Sequence, residues 1–453
     1  MTPFEKIHEY SKSVCGQIRW KKAHAVVSEE IENHLIDQRN AYMADGTDEA
    51  AATERAITQM GDPVTIGTQL DRTHRPKPQW GMLGLITVIM FIGVFIQLFL
   101  DLHMSGYIYL ETFKPLIYTL SGLAVLTVFY FLDFSWIGNH PLIIFIVSSI
   151  LLTINFIIRV SFDPFGGFFC EPILFPIGFA GIVFVSRNRG YRGIVLCEIA
   201  FSVPALMMLI LRFRSDFVLL AVSAFMILCL AVSKGWFGVK KRNGYLLVLI
   251  PTAVALALAM IYIFQYSYRW EKIMAAFNPS LDPSGEGQLG IQIRTLLSQS
   301  HWLGEGTRQG IPVNMQPWTG WNLFFMLTYI IFDLGWIPFL LIMGVLVFFI
   351  VKGFIACFKQ TSGLALFVSI SIMLSFTIPI IQYVLFNLGI TMRIGSFPFF
   401  IYFSNKTLLV NMALAGLMLS VFRTGHVVKD NAFSRDRLFS LRNGRLSFSF
   451  GKK

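Results

Sequence analysis

The stretch FNPSLDPSGEGQLGIQIRTLLSQSHWLGEG, residues 277–306, is polar and rich in glycine, yet long apolar runs lie on both sides of it. Asn278-Pro279 and Asp282-Pro283 are turn formers, and Gly285, Gly287, Gly304 and Gly306 let one backbone approach another closely. Between them, IQIRTLLSQSHWL places Ile291, Leu296, Leu297, Trp302 and Leu303 as a short helix lying on a membrane surface would. Arg269, Lys272, Arg294 and Arg308 add positive charge near headgroup height. A diphosphate-bearing lipid would find donors here, and so would ordinary anionic headgroups. Residues 265–321 are too many for a mere connection.

The flanks decide what the loop belongs to. Of 453 residues, 55% are hydrophobic and only 14% are charged, against about 25% charged in a soluble protein. A bilayer span needs about 20 mainly apolar residues. Ten such runs are expected, at 81–100, 115–134, 141–160, 171–186, 193–211, 216–232, 245–264, 322–351, 364–388 and 397–422. The fold class is therefore all-α: a polytopic membrane protein with about ten transmembrane helices and a small cytosolic helical prefix.

Basic residues set the expected orientation. One set of connections holds Arg187, Arg189, Arg192, Lys234, Lys240, Lys241, Arg242, Lys352 and Lys359. The tail adds Arg423, Lys429, Arg435, Arg437, Arg442, Arg445, Lys452 and Lys453. The opposite short connections offer only Lys114, Arg159, Arg212, Arg214 and Arg393. Both termini are thus expected in the cytosol and the loop 265–321 outside. The net charge of +11 is dispersed over span ends, which suits anionic membrane lipids and not nucleic acid.

No signal peptide is read in MTPFEKIHEYSKSVCGQIRWKKAH, which lacks an apolar core. Residues 1–75 read as a helical domain, 76–425 as the transmembrane domain and 426–453 as a basic cytosolic tail. In SEEIENHLIDQRNAYMADG, Ile31, Leu35 and Ile36 share a face and Gly46 stops the helix. TDEAAATERAITQMGDP opens on Thr47 as the expected N-cap and closes on Gly61 and Pro63. Cys15, Cys170, Cys197, Cys229 and Cys357 are isolated, and neither they nor the eight histidines show metal spacing. No cofactor or metal is expected. Glu198, Asp333 and Lys406 fall inside expected spans, where charge is costly unless it is paired or hydrated.

Two resemblances add to this. EEIENHL followed by EAAATERAITQMGDPVTIGTQLDRTHRP resembles the permease-prefix (HAAS-type) domain, which implies a cytosolic regulatory or docking module. YRWEKIMAAFNPSLDPSGEGQLGIQIRTLLSQSHWLGEG, residues 268–306, resembles the large extracellular loop of the SEDS family (FtsW/RodA/SpoVE). The matching positions are Tyr268, Arg269, Asn278, Pro279, Asp282, Pro283, Gly285, Gly287, Gln292, Trp302, Gly304 and Gly306. Asp333, Leu334 and Gly335 resemble the family's helix after the loop, and Asn387, Gly389 and Pro398 resemble its closing segment.

The second resemblance implies handling of lipid II, an undecaprenyl-diphosphate-linked peptidoglycan precursor, at the outer membrane face. The implied activity is glycosyl transfer or lipid II transport, with a class B penicillin-binding protein as transpeptidase partner. Cell division, cell shape or sporulation is the implied setting. Substrate contacts are expected from Arg269, Lys272, Asn278, Asp282, Gly285, Gly287, Gln292, Gly304, Gly306 and Asn322.

The chain departs from the family where the chemistry lies. Counting back from Leu334-Gly335, Phe324 stands where the family carries its catalytic Asp, and Asn322 is the nearest polar side chain. An amide cannot take a proton as a carboxylate base does. Around Pro172 the chain reads CEPILFPI without the family's Lys, and YFSNKT replaces the family's small-residue YGGSS. No catalytic residue is assigned. The alternative reading is a non-catalytic scaffold or pseudoenzyme that recruits cell-wall synthesis partners.

Overall fold

The computed structural model describes residues 2–105, 114–161, 174–211, 214–285, 287–307, 325–390, 405–425, 440–442 and 445–447. By contacts it divides into two compact units, one built on Met1–Pro78 and the other on the apolar helices from Gln79 onward.

The first unit holds α1 (Pro3–Gly16), α2 (His24–Ala44), α3 (Glu49–Met60) and α4 (Pro63–His74). Ile7, Val14, Ile18, Val27, Ile31 and Leu35 are buried in its core, with Ile36 packed at the edge. α2 stops at Gly46, whose φ of 88° only glycine adopts freely. There the Thr47 N–H donates to the Tyr42 carbonyl at 3.1 Å and the Gly46 N–H to Met43 at 3.0 Å, a Schellman closure. That closure overturns the expected N-cap. Thr47 is spent in ending α2, and Asp48 caps α3 by accepting from the Ala50 N–H. The next junction has no spare residue at all. Gly61 ends α3, the Asp62 carboxylate accepts from the Thr65 N–H at 2.8 Å, and Pro63 opens α4.

The second unit holds α5 (Trp80–Ser105), α6 (Lys114–Phe131), the short α7 (Ser135–Asn139), α8 (Pro141–Ser161), α9 (Leu174–Val185) and α10 (Tyr191–Ile210). It continues with α11 (Arg214–Ser233), α12 (Lys241–Phe264), α13 (Ser267–Phe277), α14 (Gln288–Ser298) and α15 (Met326–Asp333). The last helices are α16 (Trp336–Phe358), α17 (Gly363–Asn387) and α18 (Asn405–Thr424). Among the described residues, four helices (α10, α12, α16 and α17) are long and apolar enough to cross a bilayer, and six shorter apolar helices accompany them. Large apolar side chains face outward along them, as lipid contact requires: Phe95, Ile210, Leu256 and Leu341 are each more than 60% exposed. This is an all-α polytopic membrane protein. The one non-helical element among the described residues is a small antiparallel pair in the tail, β1 (Ser440–Arg442) with β2 (Arg445–Ser447).

α17 is the axis of the unit and is buried almost from end to end. Its serines are satisfied locally, and the Ser371 hydroxyl also lies 3.0 Å from the Pro176 carbonyl of α9. α9 is buried on every side from Phe175 to Phe184, which fits its lack of an amphipathic pattern. α6 and α18 meet through Gly122 and Gly416, whose missing side chains leave room for Met412 and for the Leu126 carbonyl.

The eighth expected span is corrected. A single helix over 322–351 was expected, but the chain turns at Gly335 (φ 100°) and divides that run into α15 and α16. α16 then runs on past Lys352 to Phe358. Lys352 had read as a boundary, yet its ammonium lies 5.2 Å from the Phe348 ring while the stem stays on the helix. Asp333 is buried at the end of α15 and Glu198 is half-buried on α10. The side chain of Lys406 and residues 391–404, with Pro398, lie outside the described residues.

Candidate functional site

The loop begins where α12 ends. Arg269 donates to the Tyr262 carbonyl at 2.6 Å, satisfying a helix-end acceptor, and to the Tyr268 hydroxyl at 3.2 Å. Its guanidinium also lies 3.7 Å from the Tyr262 ring centroid and 4.4 Å from that of Tyr266. Arg269 therefore organises the α12–α13 junction with part of its donor set. Lys272 lies on α13, and its side chain is not among those described.

A compact turn follows. The Asn278 side chain accepts from the Ser280 hydroxyl at 2.6 Å, and Pro279–Leu281 forms one 3₁₀ turn. The Asp282 carbonyl accepts the Gly287 N–H at 3.1 Å and the Gly285 N–H at 3.4 Å. The Asp282 carboxylate lies over Gly285, where a Cβ would come within 2.6 Å of Oδ1. A Cβ at Gly287 would overlap the Pro279 carbonyl. Asn278, Asp282, Gly285 and Gly287 are thus gathered in one place, with Gly285 making room for a carboxylate and Gly287 for a crossing backbone. Glu286 lies outside the described residues.

α14 rises from that turn with Ile293 and Leu296 buried and Gln292 half-buried. It is shorter than the expected surface helix. It ends at Ser298, and Trp302 and Leu303 stand outside it, 70% and 69% exposed. The cause is that the carbonyls of His301 and Trp302 accept the first two N–H groups of α16, from Trp336 and Ile337, each at 3.1 Å. Two further bonds run antiparallel beside them, Gly304 N–H to Leu334 carbonyl at 2.9 Å and Gly306 N–H to Phe332 carbonyl at 2.7 Å. Gly304 has φ 84°, and a Cβ at Gly306 would lie 2.8 Å from the Phe332 ring. A Cβ at Gly335 would lie 2.7 Å from the Trp302 carbonyl. These three glycines dock the loop onto the break between α15 and α16.

Arg294 ties the loop to the core as well. Its Nε and Nη2 lie 3.1 and 3.0 Å from the Gly389 carbonyl just past α17, and Nη2 lies 2.9 Å from the Phe277 carbonyl. Beneath, the Thr328 N–H and hydroxyl both lie 3.0 Å from the Asn387 amide oxygen, while the Asn387 amide nitrogen donates to the Tyr383 carbonyl at 3.0 Å. Sequence reasoning gave Arg294 only as loop charge. Its bonding role is set by a partner 95 residues away, for which no local pattern exists. Asn322 and Phe324, with the rest of 308–324, lie outside the described residues. Among the described residues no cluster of three or more His, Cys, Asp or Glu side chains could hold a metal ion.

Comparison with known proteins gives a likeness of fold. Neither a protein-family model nor a curated protein matches the chain. A solved chain, from a study of how a peptidoglycan synthase complex coordinates polymerization and crosslinking, superposes with a TM-score of 0.59 at 14% identity. The match covers 76% of this chain and 98% of that one. The two share a membrane fold over nearly the whole length of the solved chain.

Proposed function

We propose that this protein is a divergent SEDS-type membrane protein that handles a lipid-linked peptidoglycan precursor at the outer membrane face. The observation that carries the reading is the docked loop. The residues that resemble the family's loop motif, Asp282, Gly285, Gly287, Gly304 and Gly306, are the ones whose backbone contacts build it. The fold likeness to a chain of a peptidoglycan synthase complex supports the same reading. On it, Arg269 and Lys272 supply charge for a lipid diphosphate, and a class B penicillin-binding protein is the partner. Division, cell-shape control or sporulation is the setting. Residues 1–75 serve as a permease-prefix-type docking or regulatory module. A second reading, a non-catalytic protein that binds precursor or recruits partners, is favoured by Phe324 standing at the family's carboxylate position.

Purified full-length protein with labelled lipid II separates these readings. Polymer formation selects a glycosyltransferase, binding without polymer selects the non-catalytic form, and no binding removes the proposal. The missing acid predicts little or no polymer from the wild type. Phe324→Asp then tests the position directly. A buried charge costs about 2.5–3.5 kcal/mol at a span centre and less near an end, so the variant is expected to remain folded.

A further inference from the structure

The opposite, basic end of the membrane unit holds an unexplained groove. It lies between α10 and α12, has a volume of about 390 Å³, and is lined by Tyr191, Asn243, Leu246, Leu247, Ile250 and Pro251. That volume is within the range of ligand sites, about 300–1,000 Å³. Pro251 sits inside α12 and lacks the N–H that would bond the preceding turn. Leu246 and Ile250 line the groove and are exposed, so it opens on the apolar outer surface of the helices.

Its head is polar and positive. The turn before α10 is joined to the turn before α12 by two backbone bonds, Asn188 N–H to Trp236 carbonyl and Gly190 N–H to Phe237 carbonyl, each at 3.0 Å. That pairing brings together the start of α10, which carries Arg192, and the start of α12, which carries Lys240, Lys241 and Arg242, and all four are exposed. Neither helix has an acid in its first turn, so both positive helix ends add to the field. One step deeper, the Asn243 amide donates to the Tyr191 hydroxyl at 3.1 Å, which leaves the tyrosine O–H to donate onward.

We propose that this groove binds an anionic glycerophospholipid of the surrounding bilayer. The phosphate lies among Arg192, Lys240, Lys241 and Arg242, an ester carbonyl accepts from Tyr191, and an acyl chain fills the groove along Leu246, Leu247, Ile250 and Pro251. Charge complementarity chooses the occupant. A zwitterionic lipid would fill the apolar part equally but leave the cations uncompensated. The site lies on other helices than the loop, and does not depend on the proposed function.

Native mass spectrometry of the full-length protein in detergent, with phosphatidylglycerol and phosphatidylcholine as probes, tests it. Wild-type protein is expected to retain phosphatidylglycerol in preference. Ile250→Trp fills the groove without changing charge. The fourfold change Arg192→Gln, Lys240→Gln, Lys241→Gln and Arg242→Gln removes charge without filling it. Each is expected to lower retention by about tenfold, while Lys352→Gln with Lys359→Gln, which removes cations elsewhere, leaves it unchanged. Retention unaltered by Ile250→Trp, or equal retention of both lipids by wild type, overturns the site. A measurement on wild type alone guards against misfolded variants. Phosphatidylglycerol carrying a photoreactive acyl tail should label residues 243–251 selectively, and uniform labelling of all lipid-facing helices overturns the proposal.

Discussion

Gly335 concentrates the problem of the loop in a single residue. Its φ of 100° is open to few residues other than glycine, and a Cβ there would meet the Trp302 carbonyl and the Leu303 backbone within 2.8 Å. Backbone strain of this kind costs about 1–3 kcal/mol, and the overlap adds to it because neither neighbour is a flexible side-chain tip. Gly335→Ala should therefore lower the melting temperature of the purified protein and loosen 301–307 in hydrogen exchange. Gly344→Ala, with nothing within 4 Å and an ordinary φ, should do neither. Equal behaviour of the two variants would show that the loop is not held at this point. The glycine was readable as a family-like position in the sequence. Its reason was not, since the atoms it makes room for lie some thirty residues earlier in the chain.

Among the elements, α14 and α2 show two ways of fixing a helix to its surroundings. α14 buries few side chains and is held through Arg294, whose bonds to the Phe277 and Gly389 carbonyls join loop to core. Arg294→Gln loses the charge, the forked geometry and the reach that carries Nη2 to the two carbonyls. Proteolysis within residues 288–307 should then rise clearly, while the global melting temperature moves by about a few degrees or less, because local opening is cheaper than unfolding. Unaltered proteolysis would mean that the α15–α16 junction alone holds the loop.

α2 instead carries a half-buried carboxylate, Glu32. Burial pushes the Glu32 carboxyl up, but hydrogen bonds from His8, Ser28 and Ser11 outweigh this and hold it below its usual value. A carboxyl lowered in the fold adds stability that is complete above its unfolded pKa and is lost as pH falls through the folded one. Protection of α1 and α2 in the full-length protein should therefore drop on acidification below the ordinary glutamate range. In Glu32→Gln that pH dependence should be largely gone, and its persistence would place the acid sensitivity elsewhere. Nothing in the α2 sequence announced this, because Ser11 and His8 come from another helix. α2 begins at His24, four residues before the stretch read as helical, but its C-terminal end was legible. That end depends on Gly46 and its neighbours, and only the one-residue choice between Thr47 and Asp48 went the other way.

For the whole molecule, composition carried most of the information, because lipid admits few backbone solutions and an apolar run must pair its own polar groups as a helix. Among the described residues the apolar runs are helices, and the exception is informative. In 322–351 hydropathy gave no sign that one glycine would turn the chain and free the start of α16 to be capped by a distant loop. Orientation rests on a different argument, the uneven placement of lysine and arginine. The connections after α9, α11 and α16, and the tail, are basic, while the short connections on the other side hold only Lys114, Arg159, Arg212, Arg214 and Arg393. On the ten spans read from the sequence, both termini are expected in the cytosol and the loop outside, where the proposed precursor would be met. Single cysteines introduced in place of Ser284 and Ser434, probed with a membrane-impermeant maleimide on intact cells, decide it. Ser284→Cys is expected to react from outside and Ser434→Cys only after the membrane is opened. The native thiols of Cys15, Cys197 and Cys357 are buried, and Cys170 and Cys229 are replaced by Ser to remove their background. Labelling of Ser434→Cys from outside would invert the topology. It would remove the loop from the outer face and, with it, the proposed encounter with a lipid-linked precursor there.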